Sequence, residues 1–300
     1  MPVTMVIQAP AKINLTLEVL KRRHDGYHTL RSLMVPLAFA DELQIEPNDV
    51  PAFSCSDPTL AGDDNLVVRA LAALPELEPR SVRLIKYIPT QAGLGGGSSD
   101  AAAILLAAMS GAFGTVPDVD WLACARELGS DVPFFLAQTG ALVEGTGERV
   151  TAIGKLPAWH VLLVKPPVAT STSEAYQEFD RCPRAARARK TSVTLRALDA
   201  LQRGDFATLE KCMSNDFHQI ALAPAPHGQA APPEIARAID ALHAAGASNA
   251  MLCGSGSAVF TLAQRSETIA GIAERVELPA DYLRVATHFD TRPLWRGARA

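Results

Sequence analysis

The sequence has no excess of positive charge. Its 300 residues include 28 Lys or Arg and 32 Asp or Glu, which gives a formal net charge of −4. Proteins that attract nucleic acid or anionic membranes through their overall electrostatic field carry the opposite balance. Any phosphate-bearing ligand must therefore be bound by local groups, and we expect neither a nucleic-acid partner nor a membrane partner.

Long apolar runs and ordered metal or disulfide motifs are also absent from the sequence. The apolar run at residues 101–109 is much shorter than the ~20 residues that a bilayer requires. The first residues contain no secretory signal pattern. The five cysteines are scattered without a Cys-x-x-Cys pair, and no His-Glu-x-x-His motif occurs. These features predict a cytoplasmic protein with reduced thiols and no metal site built from protein ligands, and the length predicts two domains.

The strongest motif is a glycine-rich loop between a predicted strand and a predicted helix. Four of the five residues from 93 to 97 are glycines. Such a backbone lets successive N–H groups point into one concavity, where anions bind. Ser98 and Ser99 are predicted to cap the following helix, whose positive end faces the same place. The loop lacks both the Gly-Lys-Ser/Thr end of a Walker A motif and the third glycine of a dinucleotide fingerprint, so it predicts a different phosphate site.

Weaker signals lie elsewhere in the chain. Residues 12–19 alternate between polar and apolar side chains, which predicts a strand with Lys12 and Asn14 on its polar face. Taken singly, a lysine on such a strand is usually solvated, and an acidic residue such as Asp131 is usually a turn or cap former. A second glycine turn at residues 254–257 and the turn at residues 25–28 are similarly unspecific.

In combination and in this order, the motifs resemble those of the GHMP small-molecule kinases. The resemblance rests on residues 9–15, the loop at 89–99 and the late turn at 254–257, and it extends from about residue 9 to 262. Residues 25–28 and 129–134 are similar to members that act on cytidine diphosphate methylerythritol, which usually have alanine where Ser130 stands. The resemblance implies transfer of a phosphoryl group from ATP to the 2-hydroxyl of that small-molecule substrate.

The resemblance also implies a fold. It is an α+β GHMP kinase fold, with residues 1–156 like the second domain of ribosomal protein S5 and residues 157–300 like ferredoxin. The active site would lie in the cleft between the two domains. ATP would bring Mg²⁺, held mostly by phosphate oxygens, with a hydroxyl from Ser98 or Ser99 as a further ligand.

Individual site residues follow from the same resemblance. Lys12 and Asp131 match the catalytic pair, and whether Asp131 accepts a proton or only orients the hydroxyl stays open. The substrate residues would be Asn14, Tyr27, His28, Thr172 and Tyr176, and the adenine neighbours would be Asn65 and Lys86. The ATP phosphates would lie on Pro89, Thr90, Gln91, Ala92, Gly93, Leu94, Gly95, Gly96, Gly97, Ser98 and Ser99.

Three alternatives remain open at this point. Another GHMP kinase would share the ATP loop but lack a cytidine site, so the pair Tyr27 and His28 discriminates. A nucleotide- or RNA-binding module on the S5-like fold would not need Lys12 or Asp131. A dinucleotide-dependent oxidoreductase is disfavoured by the missing third glycine. The basic stretch 181–190 is best interpreted as a solvated loop, and the Pro-rich segment 223–233 matches nothing.

Overall fold

A computed structural model describes residues 5–74, 77–116, 118–181, 192–222 and 232–292. Nearly all of the basic stretch and most of the Pro-rich segment lie outside these residues. The strands are β1 (Met5–Arg22), β2 (His28–Pro47), β3 (Ala52–Cys55), β4 (Arg80–Ile85), β5 (Ala141–Gly145), β6 (Arg149–Ala152), β7 (His160–Lys165), β8 (Ser214–Asn215), β9 (Met251–Leu252), β10 (Val259–Ala263) and β11 (Leu283–His288).

The helices occur in both halves of the chain, and none in the described ranges is long and apolar enough to cross a membrane. They are α1 (Leu66–Ala72), α2 (Gly96–Met109), α3 (Trp121–Leu128), α4 (Val132–Leu136), α5 (Thr172–Arg181), α6 (Val193–Arg203), α7 (Phe206–Cys212), α8 (Asp216–Leu222), α9 (Pro233–Ala244) and α10 (Ser266–Arg275), with a 3-10 turn at Pro58–Leu60. Helix α9 begins at Pro233, and the fixed φ of proline suits the first position of a helix.

Two sheets organise the molecule. The larger has the order β3-β4-β2-β1-β8, and β5 adds to β2 and also pairs with β6. The smaller has the order β11-β7-β10-β9, with antiparallel neighbours throughout. Because β8 comes from the second half of the chain and pairs with β1 of the first half, the larger sheet contains strands from both halves.

Strand β1 is confirmed, and its polar side chains are buried instead of solvated. Lys12, Asn14, Thr16 and Glu18 are all buried, as are the apolar residues between them. Buried polar groups need partners because leaving them unpaired costs free energy. Thr16 accepts a hydrogen bond from the backbone N–H of Leu33, and Lys12, Asn14 and Glu18 also bond to side chains nearby.

The apolar core falls into three clusters. The first packs helices α1 and α2 against the larger sheet, and the third packs α9 and α10 against the smaller sheet. The second joins residues from both halves, among them Ile13, Leu37, Trp159, Phe260 and Phe289. The two sheets are therefore connected by a shared core beside the glycine-rich loop, whose Ala92 and Leu94 belong to it.

Candidate active site

One cavity of about 1170 Å³ lies where the glycine-rich loop meets residues of the second half of the chain. Asn65 and Ser99 do not line it. The site residues named from the sequence that do line it are Lys12, Asn14, Tyr27, His28, Lys86, Pro89, Thr90, Gln91, Ala92, Gly93, Leu94, Gly95, Gly96, Gly97, Ser98, Asp131, Thr172 and Tyr176.

The glycine-rich loop runs directly into helix α2. The prediction that Ser98 and Ser99 cap this helix is wrong, because the helix already starts at Gly96 and its N-cap is Gly95, in a left-handed conformation with φ of 74°. The first helical hydrogen bond is donated by the N–H of Ser99 to the carbonyl oxygen of Gly95, at 2.9 Å. The N–H groups of Gly96, Gly97 and Ser98 precede that bond, so they and the helix dipole are available to an anion.

The late glycine turn packs tightly against the loop, so it is more than a connection between strands. A Cβ atom on Gly93 would lie 2.0 Å from the carbonyl oxygen of Cys253. The N–H of Ala258 also donates to the carbonyl oxygen of Ala92, at 3.2 Å. Burial raises the pKa of the Cys253 thiol to about 12, so this thiol stays protonated and its role is packing.

Lys12 lies between the two glycine turns. Its backbone N–H donates to the carbonyl oxygen of Leu94 at 2.9 Å, and its stem packs beside Gly95, where a Cβ would be 3.1 Å from Lys12 Cγ. The ammonium group donates to Asn14 Oδ1 at 2.8 Å. Asn14 Nδ2 in turn donates to Ser32 Oγ at 2.8 Å. This chain of hydrogen bonds fixes a buried cation at the positive end of α2.

Asp131 faces the same cation. Its Oδ2 lies 3.7 Å from Lys12 Nζ, and the side chain is 34% exposed. Asp131 stands at the N-cap position of α4, but its side chain makes no capping bond. The ordinary reading of this residue as a cap former is therefore wrong. Gly147 packs against the carbonyl of Ser130, where any Cβ would lie 2.5 Å from the oxygen, and so supports the turn that presents Asp131.

A cluster of aromatic rings forms the other end of the cavity. The His28 ring stacks on Tyr176 with centroids 5.0 Å apart, and His28 Nε2 lies 2.7 Å from Asp180 Oδ1. Burial, together with the charge of Asp131, raises the pKa of Tyr176 to about 12, so its hydroxyl stays protonated. Tyr27 also lines the cavity and is 68% exposed, so most of its surface is available to a ligand.

Lys86 is surrounded by acidic groups. Its ammonium bonds to Asp41 and lies 2.7 Å from Asp100 Oδ2. Burial by itself would lower the pKa of Lys86, but the two carboxylates reverse that effect and hold it above its ordinary value. Asn65 is the N-cap of α1: its Oδ1 accepts from the N–H of Val67 at 2.8 Å and its Nδ2 donates to Leu60 at 2.7 Å.

Sequence reasoning missed Asp41, Asp100 and Asp180. Asp41 and Asp180 lie 45 and 152 residues from the groups that they bind, so no local spacing could indicate them. Asp100 carried a signal, because a carboxylate at the start of an otherwise apolar helix needs a partner once it is buried.

Two family models match the chain and together cover more than half of it. The model of the GHMP kinases N terminal domain matches residues 65–139, and that of the GHMP kinases C terminal matches residues 197–279. The chain belongs to the GHMP kinases. It is therefore an ATP-dependent small-molecule kinase with the α+β fold of that family, as its motifs predict.

Two curated relatives of this kinase carry the same name. The chain is 39% identical over 280 residues to a 4-diphosphocytidyl-2-C-methyl-D-erythritol kinase of Symbiobacterium thermophilum, with 91% of this chain and 95% of the relative covered. It is 38% identical to the protein of the same name from Solidesulfovibrio magneticus, with coverages of 88% and 90%.

Solved structures agree with the fold. The crystal structure of a 4-(cytidine 5'-diphospho)-2C-methyl-D-erythritol kinase superposes with a TM-score of 0.76 at 34% identity, covering 95% of this chain and 99% of that one. Homoserine kinase from Cytophaga hutchinsonii superposes with a TM-score of 0.65 at 16% identity, with coverages of 97% and 95%. The second likeness supports the fold alone.

Proposed function

We propose that this kinase transfers the γ-phosphoryl group of ATP to the 2-hydroxyl of 4-diphosphocytidyl-2-C-methyl-D-erythritol, giving the 2-phosphate and ADP in non-mevalonate isoprenoid biosynthesis. One observation carries the proposal. The pair Lys12 and Asp131 lies at the N-terminus of α2, in the same cavity as Tyr27 and His28. The proposed phosphate site, reacting pair and base site would therefore adjoin one another.

In this proposal the triphosphate of ATP binds at the N-terminus of α2. The free N–H groups at the start of α2 and the helix dipole favour negative charge there. Among the described residues no group of three His, Cys, Asp or Glu comes close enough to hold a metal ion. Mg²⁺ fits as an ion carried by phosphate oxygens, with the Ser98 hydroxyl as a protein ligand, and it would supply charge neutralisation at the transferring group. Ser99 is not suited to this role, because its buried hydroxyl does not line the cavity.

Asp131 positions the attacking hydroxyl, and Lys12 stabilises the charge on the transferring phosphoryl group. Phosphoryl transfer has a loose transition state, so alignment and charge neutralisation matter more than strong base chemistry. Asp131 accepts a hydrogen bond from the attacking hydroxyl and receives its proton as the new P–O bond forms. Lys12, fixed by Asn14, offsets the negative charge that collects on the transferring group.

The base end suits an aromatic heterocycle. Tyr27 and Tyr176 would stack with cytosine, and His28 would bond to its polar edge. Asn14 and Thr172 would contact the remainder of the substrate. Thr172 Oγ1 lies 2.9 Å from Ser255 Oγ, so it links the substrate end of the cavity to the late glycine turn. Lys86 lines the cavity and would remain near the adenine of ATP, whereas Asn65 is occupied by capping α1.

An ADP-release assay tests the proposal. The protein is mixed with ATP, Mg²⁺ and, separately, the cytidine compound, mevalonate or homoserine. We expect turnover only with the cytidine compound. Turnover of another alcohol would show a different GHMP kinase and contradict the base site. ATP binding without turnover of any compound would point to a binding module.

A second readout separates base recognition from ATP binding. Tyr27→Ala removes a stacking face but no charge. We expect the KM for the cytidine compound to rise by ~10-fold or more, because base–aromatic stacking is worth about 1–3 kcal/mol, and the KM for ATP to stay within about twofold. Equal effects on both KM values would contradict the assignment.

A further inference from the structure

The ring of His28 is held in one orientation. It stacks on Tyr176 with an interplanar angle of 16°, and it meets Phe179 edge-on with centroids 5.9 Å apart. Its side chain is only 5% exposed. With the ring plane fixed, its hydrogen-bonding character depends on which ring nitrogen carries the hydrogen.

Asp180 on α5 determines which ring nitrogen of His28 carries the hydrogen. Its Oδ1 lies 2.7 Å from His28 Nε2. An ionised carboxylate can only accept, so Nε2 carries the hydrogen and donates it. Arg22, with Nε 3.5 Å from Asp180 Oδ2, supplies the opposite charge on the far side. In a neutral imidazole bonded in this way, Nδ1 is a hydrogen-bond acceptor.

Nδ1 of His28 is the atom left for a ligand. No described residue makes a hydrogen bond to it, and His28 lines the cavity. An acceptor at this place can accept a hydrogen bond from an exocyclic amino group. It cannot bond to a carbonyl oxygen, which has no hydrogen to donate. Cytosine and uracil differ in this way at C4, where cytosine has an amino group and uracil has an oxygen.

We propose that Asp180 is a positioning residue for base specificity, which holds His28 with Nδ1 as an acceptor and so favours cytidine over uridine substrates. The inference rests on the proposed function. Uracil would place its oxygen against Nδ1 and leave two acceptors facing each other without a hydrogen. Sites that bond to a polar group of their substrate discriminate strongly against analogues that lack it.

The first test is Asp180→Asn. In asparagine the amide oxygen would face the donor Arg22 Nε and the amide nitrogen would donate to Nε2. The ring hydrogen then lies on Nδ1, which becomes a donor. With saturating ATP, we expect the KM for the cytidine compound to rise by ~10-fold or more and the preference over its uridine analogue to narrow by a similar factor. Turnover number and KM for ATP should change by less than about twofold.

Two further variants make the test specific. Asp180→Glu keeps an accepting carboxylate and should retain the preference for cytidine. Glu178→Gln removes a charge from the same helix, where Glu178 pairs only with Arg181 in the described structure, and should behave as the parent. Thermal unfolding of each variant checks that the fold is retained.

A direct measurement does not depend on any variant of Asp180. In the parent enzyme labelled with ¹⁵N-histidine, we expect the His28 signals to show hydrogen on Nε2 and none on Nδ1, with His28→Gln used for assignment. The reverse tautomer, or hydrogen on both nitrogens, would overturn the proposal, because Nδ1 would then be a donor. So would an Asp180→Asn enzyme with an unchanged cytidine preference, or one whose turnover falls equally for both substrates. Absence of turnover by the parent would instead contradict the proposed function.

Discussion

The buried lysine at the centre of the site explains why its neighbours are polar. An ammonium group removed from water requires opposite charge or hydrogen-bond acceptors. Lys12 has Asn14 Oδ1 at 2.8 Å and Asp131 Oδ2 at 3.7 Å. The second distance is longer than a hydrogen bond, so Asp131 retains accepting capacity for the hydroxyl of a substrate.

Asp131→Asn tests the role of that carboxylate. The amide has the same shape but cannot take a proton and carries no charge. We expect the turnover number to fall by ~10²-fold or more, while ATP binding, measured by calorimetry, stays within about threefold. Asp199→Asn, at an exposed ion pair on α6, is the matched control. A comparable loss of ATP binding would show that Asp131 holds the nucleotide instead.

Gly93→Ala tests the close approach of the two glycine turns. Gly93 has φ of +74°, and a Cβ would lie 2.0 Å from the carbonyl oxygen of Cys253, a backbone atom that cannot move aside. Gly154→Ala is the control, because φ is +79° but nothing lies within 4 Å. Both variants incur the left-handed strain of about 1 kcal/mol. We expect only Gly93→Ala to weaken ATP binding strongly, by calorimetry; equal losses would contradict the packing argument.

At the residue scale, the sequence predicted the residues whose signal is local. Lys12, Asp131 and the glycine-rich loop belong to short motifs, and in the structure they line the same cavity. Asp180 and Asp41 could not be found in this way, because their bonds to His28 and Lys86 are made by tertiary packing. For Asn65 a local motif was not sufficient. The resemblance predicts that it lies near adenine, but both its amide nitrogen and its amide oxygen already bond to the neighbouring backbone.

At the scale of elements, helix α2 shows why boundaries are hard to predict. Gly96 and Gly97 have low helix propensity, so the sequence favoured a start at the serines. In the structure both glycines are helical, and close packing explains the first of them: a Cβ on Gly96 would lie 3.0 Å from Ile88 Cγ2 and 3.3 Å from Asp41 Oδ2, whereas a Cβ on Gly97 would make only an ordinary contact. The helix therefore begins one turn earlier, and its first N–H groups come from glycine.

Asp100 makes the stability of this region depend on pH. It lies in the first turns of α2 and shares one ammonium, that of Lys86, with Asp41. Burial, reinforced by the charge of Asp41, raises the pKa of Asp100 to about 7 against the pull of Lys86. The folded state therefore binds more protons than the unfolded state between about pH 4 and 7. The free energy of unfolding is lowered as pH rises through this range.

Asp100→Asn should remove this dependence. The amide oxygen can still accept from Lys86, and no proton is lost above pH 7. We expect the variant to gain stability relative to the parent between pH 5 and 8, measured from urea unfolding at each pH. Asp240→Asn, at an exposed position of α9, is the control. A difference between parent and Asp100→Asn that is constant over this pH range would contradict the buried, protonated carboxyl.

At the scale of the whole molecule, the two halves of the chain share one framework. Asn215 of β8 pairs with β1, and its Nδ2 donates to the carbonyl oxygens of Leu252 and Gly254, at 2.9 Å and 2.7 Å. The larger sheet is thereby bonded to the late glycine turn of the smaller one. The division at residues 156 and 157 stays a prediction, because a pause in sequence pattern gives no information about strands that return from the second half.

Trp159→Ala tests whether the shared core unites the halves. Trp159 is 5% exposed and meets Phe206 and Phe289 with ring centroids 5.1 and 6.0 Å away. Truncating a buried aromatic side chain costs about 3–5 kcal/mol. In Trp159→Ala combined with Trp295→Phe, Trp121 is the one remaining tryptophan. It packs on the first core cluster, so its fluorescence reports on the first half, and far-UV circular dichroism reports on both. We expect both urea midpoints to fall together, and exposed Leu195→Ala to leave them unchanged. If Trp121 kept the parent midpoint while the dichroism signal fell earlier, the halves would be independent folding units.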